Sequence, residues 1–111
     1  MSKDLNVLEI ELHDSLIKEM HLNFDKKTAL LQVDFYRDES EKVRRPLRVE
    51  FFDVESISGL CDLKTLSKNA FAGNVNYWLP GDTTYIYLTD GCISIKAGSI
   101  RCQELQIRVG D

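Results

Sequence analysis

With 111 residues, 43% of them apolar and 29% charged, the chain has the make-up of one ordinary folded domain, and residues 1–111 read as a single β-rich unit. A domain of this length buries roughly two-thirds of its unfolded surface, so a core can form without disulfide or metal support, and no cofactor is called for. Fourteen basic against eighteen acidic side chains give a net charge of −4, which disfavours long-range attraction to nucleic acid or an anionic membrane. The N-terminus has no continuous apolar stretch, and no apolar run approaches the length of a membrane span. The three cysteines, Cys61, Cys92 and Cys102, form no C-x-x-C pair, which fits a reducing, cytoplasmic setting.

In chain order, Leu8, Ile10 and Leu12 alternate with Glu9 and Glu11. Leu5, Leu8, Leu12 and Leu16 also fit a helical stripe, but Val7 and Ile10 lie off it, so a strand over Leu5 to Leu12 is expected. His13-Asp14-Ser15 is turn chemistry. Leu16 to Phe35 alternates on both sides of Asp25-Lys26-Lys27-Thr28, which predicts a hairpin with Phe24 opposite Ala29, Leu22 opposite Leu31 and Met20 opposite Val33. Arg37 to Pro46, rich in both charges, reads as a solvated hairpin loop. The strand after it carries Leu47, Val49 and Phe51 and ends in a bulge or a doubly covered stretch where Phe52 and Val54 change phase.

Leu63, Leu66 and Ala70 share a helical stripe behind Asp62 as N-cap, predicting one helix near residues 62–72. Thr83 to Ala97 reads as a second hairpin about an Asp90-Gly91 turn, with Leu88 opposite Ile93, Ile86 opposite Ile95, and Tyr87 and Tyr85 facing Ser94 and Lys96 on the reverse side. Gly98-Ser99 then turns into a third strand of the same meander, Ile100 to Val109, whose apolar phase slips near Gln103-Glu104 and predicts a bulge there. The fold class is therefore mainly β: an antiparallel sandwich or flattened barrel of about seven to eight strands with one helix over an open end.

Several side chains carry chemistry. His13, Asp14 and Ser15 are the residue types of a hydrolase triad, but contiguous residues of an extended chain project in alternating directions, and a local turn accounts for them better. His13, Asp14 and His21 could ligate a metal, although eight strand residues span about 26 Å. None of the cysteines neighbours a histidine in sequence. Cys92 and Cys102, expected on adjacent strands, fall out of register for a bridge. Arg44, Arg45 and Arg48 form a basic cluster diluted by Glu39, Glu41 and Glu50, and the scattered glycines make no phosphate loop. The most telling residues are Tyr85 and Tyr87, turned away from the core, with Tyr77, Trp78 and Lys96 expected beside them as a surface for a protein partner or a second copy of this chain.

The N-terminal strand, Leu12-His13-Asp14-Ser15-Leu16, the alternating hairpin after it, Gly73-Asn74-Val75-Asn76-Tyr77-Trp78 and the Tyr85 to Ile95 segment together resemble a group of small uncharacterised bacterial β-rich domains. Some of these are classed as immunity proteins of polymorphic toxin systems. The resemblance implies a cytoplasmic protein that acts by binding, and it brings no active site to carry over. The expectation is a non-enzymatic interaction domain of immunity or accessory type, with acidity suited to a basic protein partner. The alternatives are a small enzyme or metal protein centred on His13, Asp14 and His21, and a homo-oligomeric structural protein.

Overall fold

The computed structural model describes residues 2–37, 40–60, 74–89 and 91–105. The predicted helix at 62–72, Cys61 and residues 106–109 of the last predicted strand lie outside them. Nine strands are described: β1 (Ser2–Leu5), β2 (Leu16–Asn23), β3 (Thr28–Phe35), β4 (Arg45–Phe52), β5 (Ser56–Leu60), β6 (Val75–Leu79), β7 (Thr83–Leu88), β8 (Gly91–Lys96) and β9 (Ser99–Leu105). They form two antiparallel sheets, a five-stranded one in the order β1-β9-β4-β3-β2 and a four-stranded one in the order β5-β8-β7-β6. No helix among the described residues is long and apolar enough to cross a membrane.

The two sheets meet in one core. β3 alternates strictly, with Ala29, Leu31, Val33 and Phe35 buried, and its register sets them beside Phe51, Val49, Leu47 and Arg45 of β4. Cys102 continues the Leu31–Val49 row. The four-stranded sheet answers with Val75, Trp78, Ile86, Leu88, Ile93 and Ile95. Alternating strands bury one side each, so two such sheets close on each other as a sandwich.

Both predicted hairpins exist, each paired two residues away from the expected register. Leu22 faces Ala29 and Met20 faces Leu31, because the Asn23 side chain accepts the Lys26 N–H at 3.0 Å and the chain turns over residues 24–27, leaving Phe24 exposed in the loop. A bulge between Ile17 and Glu19 then brings Ile17 opposite Val33. In the second hairpin Leu88 pairs with Gly91, Ile86 with Ile93 and Tyr85 with Ser94. The chain therefore reverses between Leu88 and Gly91, and Thr89 donates its N–H to the Asn74 carbonyl at 3.2 Å. A shift of two keeps the side chains of both hairpins on their expected faces, except before the bulge, where Ile17 joins the core side.

Four expectations are corrected. The N-terminal strand is Ser2–Leu5 rather than 5–12; Asn6 caps a 3-10 turn at Val7–Glu9 and exposes Leu8, while Ile10 and Leu12 enter the core from irregular backbone. β9 does not extend the β7–β8 meander, because β5 already occupies the other edge of β8; after Gly98 the chain crosses to the five-stranded sheet and lies between β4 and β1. Nor does β9 bulge at Gln103-Glu104, since its register with β4 is unbroken. Instead Glu104 turns inward and is buried, offset by Arg45 at 3.4 Å and Arg37 at 3.9 Å. The predicted loop ends at Arg44, with Arg45 and Pro46 already in β4, and β4 itself has no bulge. Phe52 sits on the outer face beneath the Arg101 guanidinium, 5.6 Å from its ring centre, and Asp53 in a left-handed conformation returns Val54 to the core.

Candidate functional site

The outer face of the four-stranded sheet carries the tyrosines. In β7 the alternation that buries Thr84, Ile86 and Leu88 turns Tyr85 and Tyr87 outward. β6 has a bulge between Val75 and Tyr77, which changes its phase so that Val75 and Trp78 face the core while Tyr77 and Leu79 face out. Tyr77 pairs with Tyr87 across the strands, their rings stacked at 4.5 Å, and Tyr87 in turn lies 6.3 Å from Tyr85. Tyr77 is 49% exposed, Leu79 51% and Tyr85 41%, with Tyr87 half-buried between its neighbours. Desolvation, and then repulsion from the neighbouring Tyr77, Cys92 and Tyr85 groups, push the Tyr87 phenol up from its ordinary value.

Of the five residues predicted for this surface, Tyr77, Tyr85 and Tyr87 are brought together and two are not. Trp78 belongs to the core: it is 6% exposed, and its indole N–H donates to the Ile10 carbonyl at 2.9 Å. Lys96 is exposed on β8 but pairs with Thr83, two residues before Tyr85, and its ammonium is held by Glu55 at 3.1 Å. The odd-numbered Tyr77 looks outward only because of the bulge at Asn76, whose side-chain amide donates to the Leu88 carbonyl at 3.3 Å.

The His13-Asp14-Ser15 segment forms the predicted turn, with Asp14 at a φ of 63°. It plugs the free edge of β6. The Asp14 N–H donates to the Val75 carbonyl, the Ser15 carbonyl accepts from the Asn74 and Val75 N–H groups, and the Asn74 side chain accepts the Ile17 N–H at 2.9 Å. This turn therefore ties β2 of one sheet to β6 of the other. His13 places Nδ1 2.7 Å from the Asn76 carbonyl and Nε2 3.3 Å from the Asp14 carboxylate. The Ser15 hydroxyl is fully buried and makes no hydrogen bond among the described residues, so the three side chains do not assemble end to end as a triad. His21 lies on β2 with its Nε2 3.3 Å from Glu19, not beside His13 and Asp14. Among the described residues no three His, Cys, Asp or Glu side chains converge as a metal site.

Beside this turn are two clefts that share Glu11 and His13. One, of about 600 Å³, is walled by Glu9, Asp14, Tyr36, Arg37 and Glu41. The other, of about 530 Å³, is walled by Ile10, Leu12, Asn76, Tyr77 and Trp78. Tyr77 therefore joins the tyrosine ladder to the second cleft, and Glu11 and His13 lie between that cleft and the acidic one. Sequence reading missed Glu9, Glu11 and Tyr36, because Glu9 and Glu11 looked like the solvated side of a strand. The basic cluster disperses: Arg44 lies 4.8 Å over the Tyr36 ring and donates to the Asp14 carbonyl, Arg45 is paired with Glu41 and Glu104, and Arg48 is on the outer face between Gln32 and Gln103.

Cys92 and Cys102 lie in opposite sheets, not on adjacent strands as expected. Burial pushes the Cys102 thiol up to about 12 and leaves it no accessible surface. At about pH 8 an alkylating reagent is expected to leave Cys102 unmodified in the native domain and to label it fully in denaturant, as read by peptide mass mapping. Native labelling at the rate of a free thiol would contradict that burial. Comparison with protein-family models, with curated proteins and with solved structures finds no match to this chain.

Proposed function

We propose that the domain is a non-enzymatic binding protein, of immunity or accessory type, that covers a basic protein partner with the outer face of its four-stranded sheet. The observation that carries this reading is the stacked Tyr77–Tyr87–Tyr85 ladder, half exposed and running through Tyr77 into a cleft that shares Glu11 and His13 with the acidic cleft bearing Glu9 and Glu41. Rigid aromatic rings supply contact area at little conformational cost, and a carboxylate-lined border favours a positively charged partner over an acidic one. The net charge of −4 acts in the same direction at long range.

Co-purification from the native host, run in parallel with Tyr85→Ser/Tyr87→Ser, tests the reading. The wild-type domain is expected to retain one basic protein, and the double variant to retain it about tenfold less or weaker while unfolding at the same temperature, because both rings lie outside the core. Equal retention by the two proteins overturns the proposal.

A further inference from the structure

A separate surface lies on the opposite sheet. Among the described residues β2 is an edge strand of the five-stranded sheet, paired only with β3. Its core-side residues continue rows that are fully covered elsewhere: Met20 extends the row of Leu31 and Val49, and Leu22 that of Ala29 and Phe51. Those four inner residues are at most 1% exposed, yet Met20 is 37% and Leu22 45% exposed, with Phe24 just beyond them at 86%. The apolar layer overhangs the sandwich at this edge. An exposed edge strand with an apolar row is a template for strand pairing. The bulge that blunts it lies before Glu19, and from Glu19 to Asn23 the register with β3 is regular.

We propose that β2 pairs antiparallel with β2 of a second copy, about a two-fold axis at Met20, joining the two five-stranded sheets into one. The charges on the strand select that register. With Met20 opposite the second copy's Met20, each Glu19 faces the second copy's His21, so an acceptor meets an imidazole at both symmetric positions. Moving the axis to Glu19 sets carboxylate against carboxylate, and moving it to His21 sets imidazole against imidazole. Of these three, only the Met20 axis is complementary, and it brings the two Met20 side chains into contact between the overhanging rows. Glu19 and His21 are placed to serve, since both side chains are more than 60% exposed, with the His21 Nε2 3.3 Å from the Glu19 carboxylate. An interface built on one strand edge is small, which implies a reversible dimer rather than a permanent one.

Sedimentation equilibrium of the full chain from roughly 10 µM to roughly 1 mM tests this. The weight-average mass is expected to climb from the monomer toward twice its value. Glu19→Lys removes the acceptor that faces the imidazole, His21→Glu sets carboxylate against carboxylate, and each alone is expected to weaken the dimer about tenfold. Mixing the two variants restores complementarity at both paired positions, with the introduced lysine facing the introduced glutamate at one and the native glutamate facing the native histidine at the other, and is expected to recover association as a heterodimer. A monomer throughout the concentration range, as when a segment of the same chain covers the overhang, overturns the proposal, and so does a dimer indifferent to both variants. Circular dichroism of each variant, expected to match wild type because both positions are exposed, separates lost pairing from lost folding. The tyrosine face has no part in this test, so its outcome is independent of the partner reading.

Discussion

Gly59→Ala is expected to lower the free energy of unfolding by about 3 kcal/mol or more, a large share of the roughly 5 to 15 kcal/mol that holds a domain of this kind together. Gly59 lies in β5 at a φ of 133°, a conformation L side chains rarely adopt. It also pairs with Ile93 so closely that an added Cβ would stand 1.9 Å from the Cys92 carbonyl oxygen. Strain at such a φ costs about 1 to 3 kcal/mol, and forcing backbone apart costs a similar amount again. The atoms in the way are main-chain atoms of β8, which cannot swing aside as a side chain could. β5 is an edge strand, so the sheet would relieve the clash by shedding it, and β8 would lose one of its two neighbours. Urea titration followed by circular dichroism gives the comparison. Gly81→Ala is the control, because its new methyl meets only the Thr83 carbonyl at 3.6 Å, an ordinary contact, and its midpoint is expected to stay close to wild type. A Gly59→Ala midpoint equal to that of Gly81→Ala would refute the close approach of β5 and β8.

Faces were legible in this sequence where partners were not. The period of two in β3, β4 and β7 assigned inside and outside correctly even though both hairpins pair two residues from the expected register. That error is harmless because an even shift preserves the face. Its source is turn chemistry: the Asn23 side chain begins the first reversal before Asp25, and Thr89 leaves its ladder for the Asn74 carbonyl before Gly91 is reached. The crossing of β9 was illegible for a different reason. Gly98-Ser99 is equally good as a hairpin turn or as an exit, and only the occupation of the free edge of β8 by β5, more than thirty residues earlier, decides between them. The phase slip near Glu104 was read as a bulge because the apolar positions pass from even at Ile100 and Cys102 to odd at Leu105, whereas β9 runs unbroken with Glu104 on the core side, offset by arginines from other parts of the chain.

The candidate site shows the same division. Tyr85 and Tyr87 follow from the alternation of a single strand and were found, whereas Tyr77 and Trp78 exchange roles across a bulge set by Asn76 and by the turn at His13. The acidic cleft needs the 3-10 turn at Val7–Glu9, the end of β3 and the β3–β4 loop to converge, which no local pattern encodes.

Trp78→Ala is expected to cost about 3 to 5 kcal/mol, comparable to losing any large aromatic residue from a core. Trp78 has a second duty that makes the change informative. Ile10 and Leu12 are buried without belonging to any strand, and the indole N–H on the Ile10 carbonyl pins that irregular segment against β6. Without it the carbonyl is left buried and unpaired, a cost beyond the cavity itself. Trp78→Phe separates the two effects: it keeps most of the apolar volume and removes the donor, so a loss of about 1 to 2 kcal/mol is expected. Circular dichroism must follow the unfolding, since Trp78 is the only tryptophan and both variants abolish its fluorescence. Equal losses in the two variants would assign the whole effect to the hydrogen bond, and a negligible loss in Trp78→Ala would remove Trp78 from the core. The residue after the bulge thus anchors the strand on which the residue before it, Tyr77, is presented, so Trp78→Phe is also expected to loosen the edge of the tyrosine ladder while leaving Tyr85 in place.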